Sequence, residues 1–203
     1  MITPSRVFFL VDVSGAILLG VFARFYHLAA SPFAIDEYYL AQSITNILNV
    51  GIPQFDCGGI YMRGIAQQYL TAALALIGLD LHVALRLLTV LSNLIALPAL
   101  FLLGKRLGGI NVALIACALF SVSVWEIEMA RFGRMYAPFQ AIFVWYCVAL
   151  FDAYKGSYRS FLTAIGLSIL AVFIYEGSAL LLCTTFIPLL AGQHFTKWSW
   201  PLA

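Results

Sequence analysis

The chain of 203 residues is 63% hydrophobic and only 10% charged, and its mean hydropathy is +0.97. A soluble domain carries roughly 25% charged residues, so this composition excludes an ordinary soluble protein and indicates an integral membrane protein. The formal net charge of +2, without a basic tail or a Gly-rich phosphate loop, gives no reason to expect a nucleic-acid partner.

Apolar runs that could cross a bilayer recur along the chain. A crossing helix needs about 20 mostly apolar residues. No small-residue cleavage site follows the first run, which therefore reads as a retained span and not as a signal peptide. We predict an all-α polytopic membrane protein with about six spans, at residues 7–26, 83–103, 110–125, 137–151, 161–175 and 178–190.

Basic residues predict the sidedness of these spans, because Lys and Arg concentrate in cytoplasmic loops. If Arg6 is inside, alternating spans place Lys105, Lys155 and Lys197 inside as well. The first outer loop then covers residues 27–82 and faces the outside of the membrane. We predict an integral protein of a bacterial or archaeal plasma membrane.

Two helices are expected within this outer loop. Residues 66–79 are apolar but reach only about 21 Å as a helix, against a hydrocarbon core of about 30 Å. Residues 36–50 carry apolar side chains at helical spacing, and the segment 51–53 ends the pattern. Amphipathic helices of this kind lie in the interface plane with their apolar face toward the acyl chains. We expect them to roof a cavity between the spans.

Asp36 and Glu37 open the first of these loop helices. One interpretation is that they cap the helix and interact favourably with its dipole. The other is that Asp36 is a catalytic carboxylate and Glu37 its partner. A carboxylate beside cationic groups stays ionised, and can then accept a proton from a sugar or peptide hydroxyl.

Basic residues predicted on the same side are candidates for binding a phosphate. Arg63 precedes the second loop helix, although it could equally snorkel to phospholipid headgroups. Arg86 lies at the outer end of the second span, where an ionisable residue often faces a wet cavity. Glu176, at the outer end of the fifth span, is a weaker acidic candidate.

The densest cluster of charged and aromatic residues is 125–136, where the third span ends and the fourth begins. Glu128, Arg131 and Arg134 are spaced by three residues and would share a face of a continuous helix. Tyr136 suits an interfacial aromatic belt. The cluster is either an aromatic anchor with internal salt bridges or a guanidinium clamp for a lipid phosphate.

The order of motifs resembles the N-terminal half of the GT-C glycosyltransferases, in the clan of protein O-mannosyltransferases and aminoarabinose-lipid A transferases. The resemblance covers most of the chain and rests on order and spacing. The motifs are Asp36-Glu37, Gly51-Ile52-Pro53, Tyr61-Met62-Arg63-Gly64, Leu85-Arg86-Leu87-Leu88, Leu103-Gly104-Lys105-Arg106-Leu107-Gly108-Gly109 and Ala130-Arg131-Phe132-Gly133-Arg134-Met135-Tyr136.

The resemblance implies inverting transfer of a sugar from a polyprenyl-phosphate donor to a lipid, glycan or protein acceptor. Asp36 and Glu37 match the clan's first-loop carboxylates, expected to be catalytic. The implied substrate-binding residues are Arg63, Arg86, Arg131, Arg134 and Tyr136.

The resemblance also has limits. Carboxylates in this clan sometimes bind a divalent metal, but this sequence supplies no full ligand set, so we assign no metal ligand and no certain cofactor. Relatives often have prolines after the position of Gly64, where this chain has Ile65-Ala66-Gln67. The clan's later spans are missing, so we expect the single transmembrane domain 1–203 to be the N-terminal part of a longer protein.

Two rival functions remain open at this point. A polyprenyl-lipid flippase or transporter tends to place charges and broken helices near the bilayer midplane. Here the charges collect at the predicted outer rim, which favours an enzyme. A non-catalytic membrane protein is the other alternative.

Overall fold

A computed structural model describes residues 4–190 of the protein. The structure is 80% helical, and the described residues form no strand, only an isolated bridge between Gln54 and Ile60. The all-α prediction is confirmed. The helices are α1 (Pro4–Phe25), α2 (Ile35–Val50), α3 (Ile65–Leu76), α4 (Leu81–Val122), α5 (Val124–Arg131), α6 (Tyr136–Tyr154), α7 (Tyr158–Ile174), α8 (Ala179–Thr185) and α9 (Ile187–Leu190), with a 3-10 turn at Glu176–Ser178 between α7 and α8.

Apolar side chains cover the outside of this bundle and polar side chains lie inside it. Phe8 and Leu18 on α1 are both 69% exposed, whereas Arg24 and Asn93 are 0% exposed. In a water-soluble protein the usual distribution is the opposite. The surface is therefore suited to contact with hydrocarbon.

Within residues 4–190, three helices are long and apolar enough to cross a membrane. They are residues Arg6–Phe25 of α1, the 42-residue α4, and α6. The apolar segments Tyr158–Ile174 and Glu176–Leu190 are shorter. The structure therefore supports an all-α protein with long apolar helices. It does not confirm the predicted number of six spans.

Helix α4 reverses direction at Gly109. This residue has φ of 81° and ψ of −175°, a conformation that interrupts a helix and suits glycine. The two arms, 81–108 and 110–122, lie against each other, since the Cys117 thiol is 3.7 Å from the carbonyl oxygen of Leu97. The reversal lies at the predicted boundary between the second and third spans.

The structure interrupts two of the predicted spans. The span predicted at 110–125 ends at Ser123, whose extended backbone (φ −61°, ψ 120°) separates α4 from α5. The Ser123 hydroxyl accepts a hydrogen bond from the Glu126 N–H at 3.4 Å and so caps α5. The span predicted at 178–190 is divided into α8 and α9 at Phe186.

Helices α2 and α3 of the predicted outer loop pack on each other and on α4. Leu40, Ile44 and Ile47 of α2 are buried against Ala72 of α3 and Leu85 of α4. We predicted that this apolar face of α2 would enter the acyl chains, and that prediction was wrong. The face lies inside the protein because α3 and α4 cover it.

Helix α3 has its polar face toward the protein. Gln67, Gln68 and Thr71 are all 0% exposed, whereas Leu70 is 53% and Leu76 is 76% exposed. The apolar side of α3 is therefore free to contact lipid. Its buried amides hold the neighbouring segment, because Gln68 donates to the carbonyl oxygens of Tyr61 (2.8 Å) and Arg63 (2.9 Å).

Candidate functional site

A buried ion pair ties the first turn of α2 to α4. The Arg86 Nε donates to Glu37 Oε1 at 3.0 Å, and Arg86 Nη2 donates to Glu37 Oε2 at 2.9 Å. The two side chains are 7% and 1% exposed, respectively. This bidentate geometry is the strong form of a guanidinium–carboxylate contact. It joins residues that are 49 positions apart in the sequence.

The Arg86 guanidinium has no N–H left for a ligand. A guanidinium has five N–H donors, and two of them bind Glu37. Nη1 donates to the carbonyl oxygens of Leu28 (3.0 Å) and Ser31 (2.9 Å), and Nη2 donates to that of Pro32 (3.0 Å). Arg86, predicted to bind substrate, thus fixes the segment leading into α2.

The Glu37 carboxylate likewise accepts several hydrogen bonds. Its carboxylate accepts N–H bonds from Ala34 at 3.0 Å and Gly133 at 2.7 Å, in addition to those from Arg86. Burial alone would raise the pKa of Glu37, but these hydrogen bonds and the charge of Arg86 outweigh burial and lower the pKa. The ionised Glu37 therefore holds the turn between α5 and α6 against α2.

Asp36, the neighbouring residue, has the opposite environment. It is exposed, and no other side chain or backbone group between residues 4 and 190 bonds to its carboxylate. Its backbone carbonyl oxygen accepts a 3.0 Å hydrogen bond from Arg134 Nη1. The backbone of Asp36 is thus fixed while its carboxylate is available.

Arg134 is buried, with 3% of its surface exposed. Its Nη1 also donates to the Tyr61 hydroxyl at 2.9 Å, which connects the segment before α3 to the turn before α6. The Nε of Arg134 has no partner within the described part of the chain. Arg134 therefore acts mainly on the position of Asp36 and Tyr61.

Arg131 lines a cavity of about 300 Å³, named the Arg131 pocket below. Its guanidinium makes two long hydrogen bonds, to the carbonyl oxygens of Ala23 (3.4 Å) and His27 (3.3 Å), and no ion pair with any described residue. The other polar residues lining this pocket are Ser31, Glu37, Arg86 and Glu128. Arg86 and Arg131 are the two predicted substrate-binding arginines that line this pocket. Only Arg131 has N–H groups left to bind a ligand.

Arg63 lies at the surface, where its Nε is 3.2 Å from Glu176 Oε1. The two side chains are 62% and 57% exposed. Pairs this exposed contribute about 0–1 kcal/mol to stability. The contact joins the segment before α3 to the end of α7, so two predicted charged residues do meet.

Tyr136 lines a second, larger cavity of about 500 Å³, named the aromatic pocket below. Its ring is 41% exposed and stacks on Phe132, with 6.3 Å between ring centroids. Phe139 and Phe143 of α6 and Trp125 of α5 line the same cavity. The two pockets divide the predicted site residues, with Arg131 in one and Tyr136 in the other.

The residues present do not fit a metal ion. Among residues 4–190, no group of three or more His, Cys, Asp or Glu side chains lies close enough to hold one. Glu37 is committed to Arg86, which leaves Asp36 without a second carboxylate beside it.

A polar network, buried at Arg24 and Asn93 and half-buried at Glu126 and Gln140, was not predicted from the sequence. Arg24 Nε donates to Asn93 Oδ1 at 2.7 Å, and Asn93 Nδ2 donates to Glu126 Oε2 and to Gln140 Oε1, each at 3.1 Å. The Gln140 amide donates in turn to both Glu126 oxygens at 2.9 Å. Asn93 and Gln140, polar residues inside predicted spans, were the signal that could have indicated it.

Arg24 also caps the interrupted end of α4. Its Nη1 donates to Ser121 O at 2.8 Å and its Nη2 to Phe120 O at 3.2 Å. The break at Ser123 leaves these carbonyl oxygens without helical partners, and a cation is favourable at a helix C-terminus. Arg24 thus supplies hydrogen bonds to the carbonyl oxygens that the helix break leaves without partners.

Comparison of the chain with protein families, with curated proteins and with solved structures finds no match. The resemblance to the GT-C glycosyltransferases therefore depends on the motif order alone.

Proposed function

We propose that this protein is a membrane glycosyltransferase, acting on a polyprenyl-phosphate-linked sugar at the outer face of the membrane. The observation that carries the proposal is the contrast between Asp36 and Glu37. Glu37 is buried and bonded by Arg86 and by two backbone amides. Asp36, one residue away, is exposed and bonded to no described side chain. A rigidly positioned but unoccupied carboxylate suits a general base.

In the proposed reaction Asp36 accepts the proton of an acceptor hydroxyl. The hydroxyl oxygen then forms a bond to the anomeric carbon of the donor sugar. The bond between that carbon and the phosphate oxygen breaks, and polyprenyl phosphate leaves with the electron pair. Attack opposite the leaving group inverts the anomeric configuration. The acceptor is a lipid, a glycan or a protein hydroxyl.

Arg131 is the proposed contact for the leaving phosphate. Its guanidinium lines the Arg131 pocket and makes only two long hydrogen bonds, of 3.4 Å and 3.3 Å. Negative charge develops on the phosphate as the sugar departs, and a pre-positioned guanidinium stabilises such charge. The carboxylates of Glu128 and Glu37 line the same pocket, and Arg86 balances Glu37.

A transporter or flippase is the second candidate, and one observation favours it. Helix α4 is broken at Ser123, and the break is joined to a partly buried charged network through Arg24, Asn93 and Glu126. Interrupted helices with charges inside the bundle are typical of transporters. The transferase remains the first proposal because Asp36 and Arg131 lie outside this network.

The test is reconstitution of the full chain, including any segments that adjoin it in the native protein, into proteoliposomes. Synthetic polyprenyl-phosphate hexoses and pentoses are supplied with an extract of native membranes as the source of acceptor. Released polyprenyl phosphate and glycosylated product are measured by mass spectrometry. We expect release of both, with inverted configuration at the anomeric carbon.

The same vesicles separate the two candidates. Movement of the intact donor lipid between leaflets, without polyprenyl phosphate release from any donor, would contradict the transferase and support the flippase. The variant Arg131→Ala should raise the KM for the donor roughly tenfold or more, as expected for one lost charge-assisted phosphate contact. An unchanged KM would remove Arg131 from the site.

A further inference from the structure

The aromatic pocket lies between α5 and α6, apart from the Arg131 pocket. Its volume is about 500 Å³, a size typical of small-molecule sites. The walls are mainly rings, and the polar residues that line it are a carboxylate and an amide. The residues that matter here are Trp125, Glu126, Tyr136, Phe139, Gln140 and Phe143.

Among the described residues that line this cavity, Glu126 alone carries a formal charge. Its two oxygens accept hydrogen bonds from the amides of Gln140 (2.9 Å to each) and Asn93 (3.1 Å). These neutral amides position the carboxylate. No Lys, Arg or His side chain in the described part of the chain forms a salt bridge with Glu126.

Arg24, a buried cation, makes no direct contact with Glu126, although the two charges interact. Arg24 reaches Asn93 and the carbonyl oxygens of Gly20, Phe120 and Ser121, so Asn93 stands between Arg24 and Glu126. Glu126 is half-buried, where the attraction between opposite charges is stronger than in bulk water. The pocket therefore favours a ligand that brings positive charge.

Aromatic rings add a second attraction for the same kind of ligand. A cation within about 6 Å of a ring centroid is attracted by the ring's negative face, and such rings form the usual site for quaternary ammonium groups. The Phe139 ring is 5.9 Å from that of Phe143 and 5.2 Å from that of Tyr175, measured between centroids. Phe139 and Phe143 therefore lie together in the lining of the cavity that also contains Glu126, whereas Tyr175 is not among the described lining residues.

We propose that the aromatic pocket binds the ammonium group of an amine ligand, with Glu126 as its counterion and Tyr136, Phe139 and Phe143 around it. The ligand is either a soluble amine or the amine headgroup of a membrane lipid, which share this chemistry. The inference does not rest on the proposed sugar transfer, since it uses neither Asp36 nor any residue of the Arg131 pocket, and of the expected substrate-binding residues it uses Tyr136 alone.

The first arm of the test uses choline as the probe. The full chain is placed in nanodiscs of phosphatidylglycerol, which contain no amine, and choline binding is measured by calorimetry. Choline should bind, and its uncharged analogue with carbon in place of nitrogen should bind at least about tenfold more weakly, as expected for loss of a buried charge contact. Equal binding of the two probes overturns the proposal.

Substitutions in the aromatic pocket test whether choline binds there. Glu126→Gln should weaken choline binding at least about tenfold, and Phe139→Leu should weaken it by a factor of about two to thirty, the range for one cation–π contact. Glu128→Gln is the matched control, because Glu128 is an exposed acid two residues further along α5 and lines the other pocket. It should bind choline as the wild type does.

Thermal unfolding verifies that each variant is folded. If Glu126→Gln does not fold, Phe139→Leu decides the question, because it leaves the Arg24–Glu126 network intact. Undiminished choline binding in the folded variants overturns the proposal.

The second arm distinguishes the sources of the amine. Phosphatidylethanolamine replaces part of the nanodisc lipid, and native mass spectrometry measures the lipid retained by the protein. Retention that falls in Glu126→Gln but not in Glu128→Gln assigns the pocket to a lipid headgroup. Choline binding that depends on Glu126, without such retention, assigns it to a soluble amine.

Discussion

At the residue scale, the adjacent acids Asp36 and Glu37 have separate roles. Glu37 is 1% exposed and joins α2 to α4 and to the turn before α6, whereas Asp36 is exposed. The sequence indicates that the pair is unusual and favours Asp36 as the catalytic residue, but it does not show that Glu37 is buried in an ion pair. Their difference depends on Arg86 and Gly133, which are distant in the chain, so it could not be predicted from local pattern.

Removal of Arg86 tests the importance of the buried pair. Arg86→Ala leaves the Glu37 carboxylate in a buried position without its cation, which costs roughly 3–5 kcal/mol. We expect a loss of that size in the free energy of unfolding, measured by denaturant titration in mixed micelles.

The exposed pair provides the matched control. Arg63→Ala breaks a contact whose partners are 62% and 57% exposed, and should cost no more than about 1 kcal/mol. The double variant Arg86→Leu/Glu37→Leu should lose less than Arg86→Ala, since it leaves no unpaired charge. Equal losses in Arg86→Ala and Arg63→Ala would show that the buried pair is not important.

The lowered pKa of Glu37 predicts how stability changes with pH. The pKa is below its ordinary value of 4.5 in the folded protein, so folding favours the ionised form. This contribution is complete above pH 4.5 and is lost as the pH falls through the lower, folded value. Unfolding free energy measured across the acid range should therefore decline for the wild type.

Glu37→Gln isolates this effect, because it cannot titrate. The wild type should be more stable than the variant above the ordinary Glu pKa, and the difference should shrink as the pH falls below it. A difference that grows toward acid pH would mean that the pKa of Glu37 is raised and would contradict this account.

At the element scale, α1 and α4 approach closely at Gly20. A Cβ added there would meet the Ser121 carbonyl oxygen and lie 2.6 Å from the Ser121 carbonyl carbon. Both are backbone atoms, and the oxygen also accepts a hydrogen bond from Arg24, so they cannot move aside easily. Gly20→Ala should therefore destabilise the protein by about 1–3 kcal/mol, the usual cost of overpacking.

Gly15→Ala is the matched control on the same helix. A Cβ at Gly15 meets nothing within 4 Å, so this change should be neutral or slightly stabilising, as Ala is the better helix former. Unfolding free energies of the two variants in the same micelles provide the measurement. Similar values for both variants would contradict the close packing of α1 on α4.

The elements differ in how far the sequence predicted them. The reversal at Gly109 was predictable because a glycine-rich, basic segment separates two long apolar runs. The break at Ser123 was not, because its neighbours are apolar and it depends on Arg24 reaching the carbonyl oxygens of α4 from another helix. The burial of the α2 apolar face likewise depends on the packing of α3, which periodicity cannot indicate.

At the scale of the whole molecule, the predicted orientation can be tested with a cysteine of the chain itself. Cys57 is exposed in the segment between α2 and α3. A membrane-impermeant maleimide added to intact cells or right-side-out vesicles should label it, because we predict that residues 27–82 face outside. Labelling is measured by mass shift.

Lys105→Cys in a Cys57→Ser background provides the control from the opposite side. Lys105 is exposed near the Gly109 reversal, which we predict to be cytoplasmic. This cysteine should react only after the membrane is permeabilised. If position 105 is labelled from outside in this variant and Cys57 is not labelled in the wild type, the predicted orientation is wrong.

The central claim is that Asp36 is the base for sugar transfer, and Asp36→Asn tests it most directly. The kcat for transfer from a polyprenyl-phosphate sugar should fall about a hundredfold or more in proteoliposomes, as is typical when a general base is lost. The control is Asp56→Asn, since Asp56 is an exposed acid between α2 and α3 that bonds only to Gln42 and Asn46 among described residues. The account predicts unchanged transfer by Asp56→Asn; transfer by Asp36→Asn at the wild-type rate would contradict it.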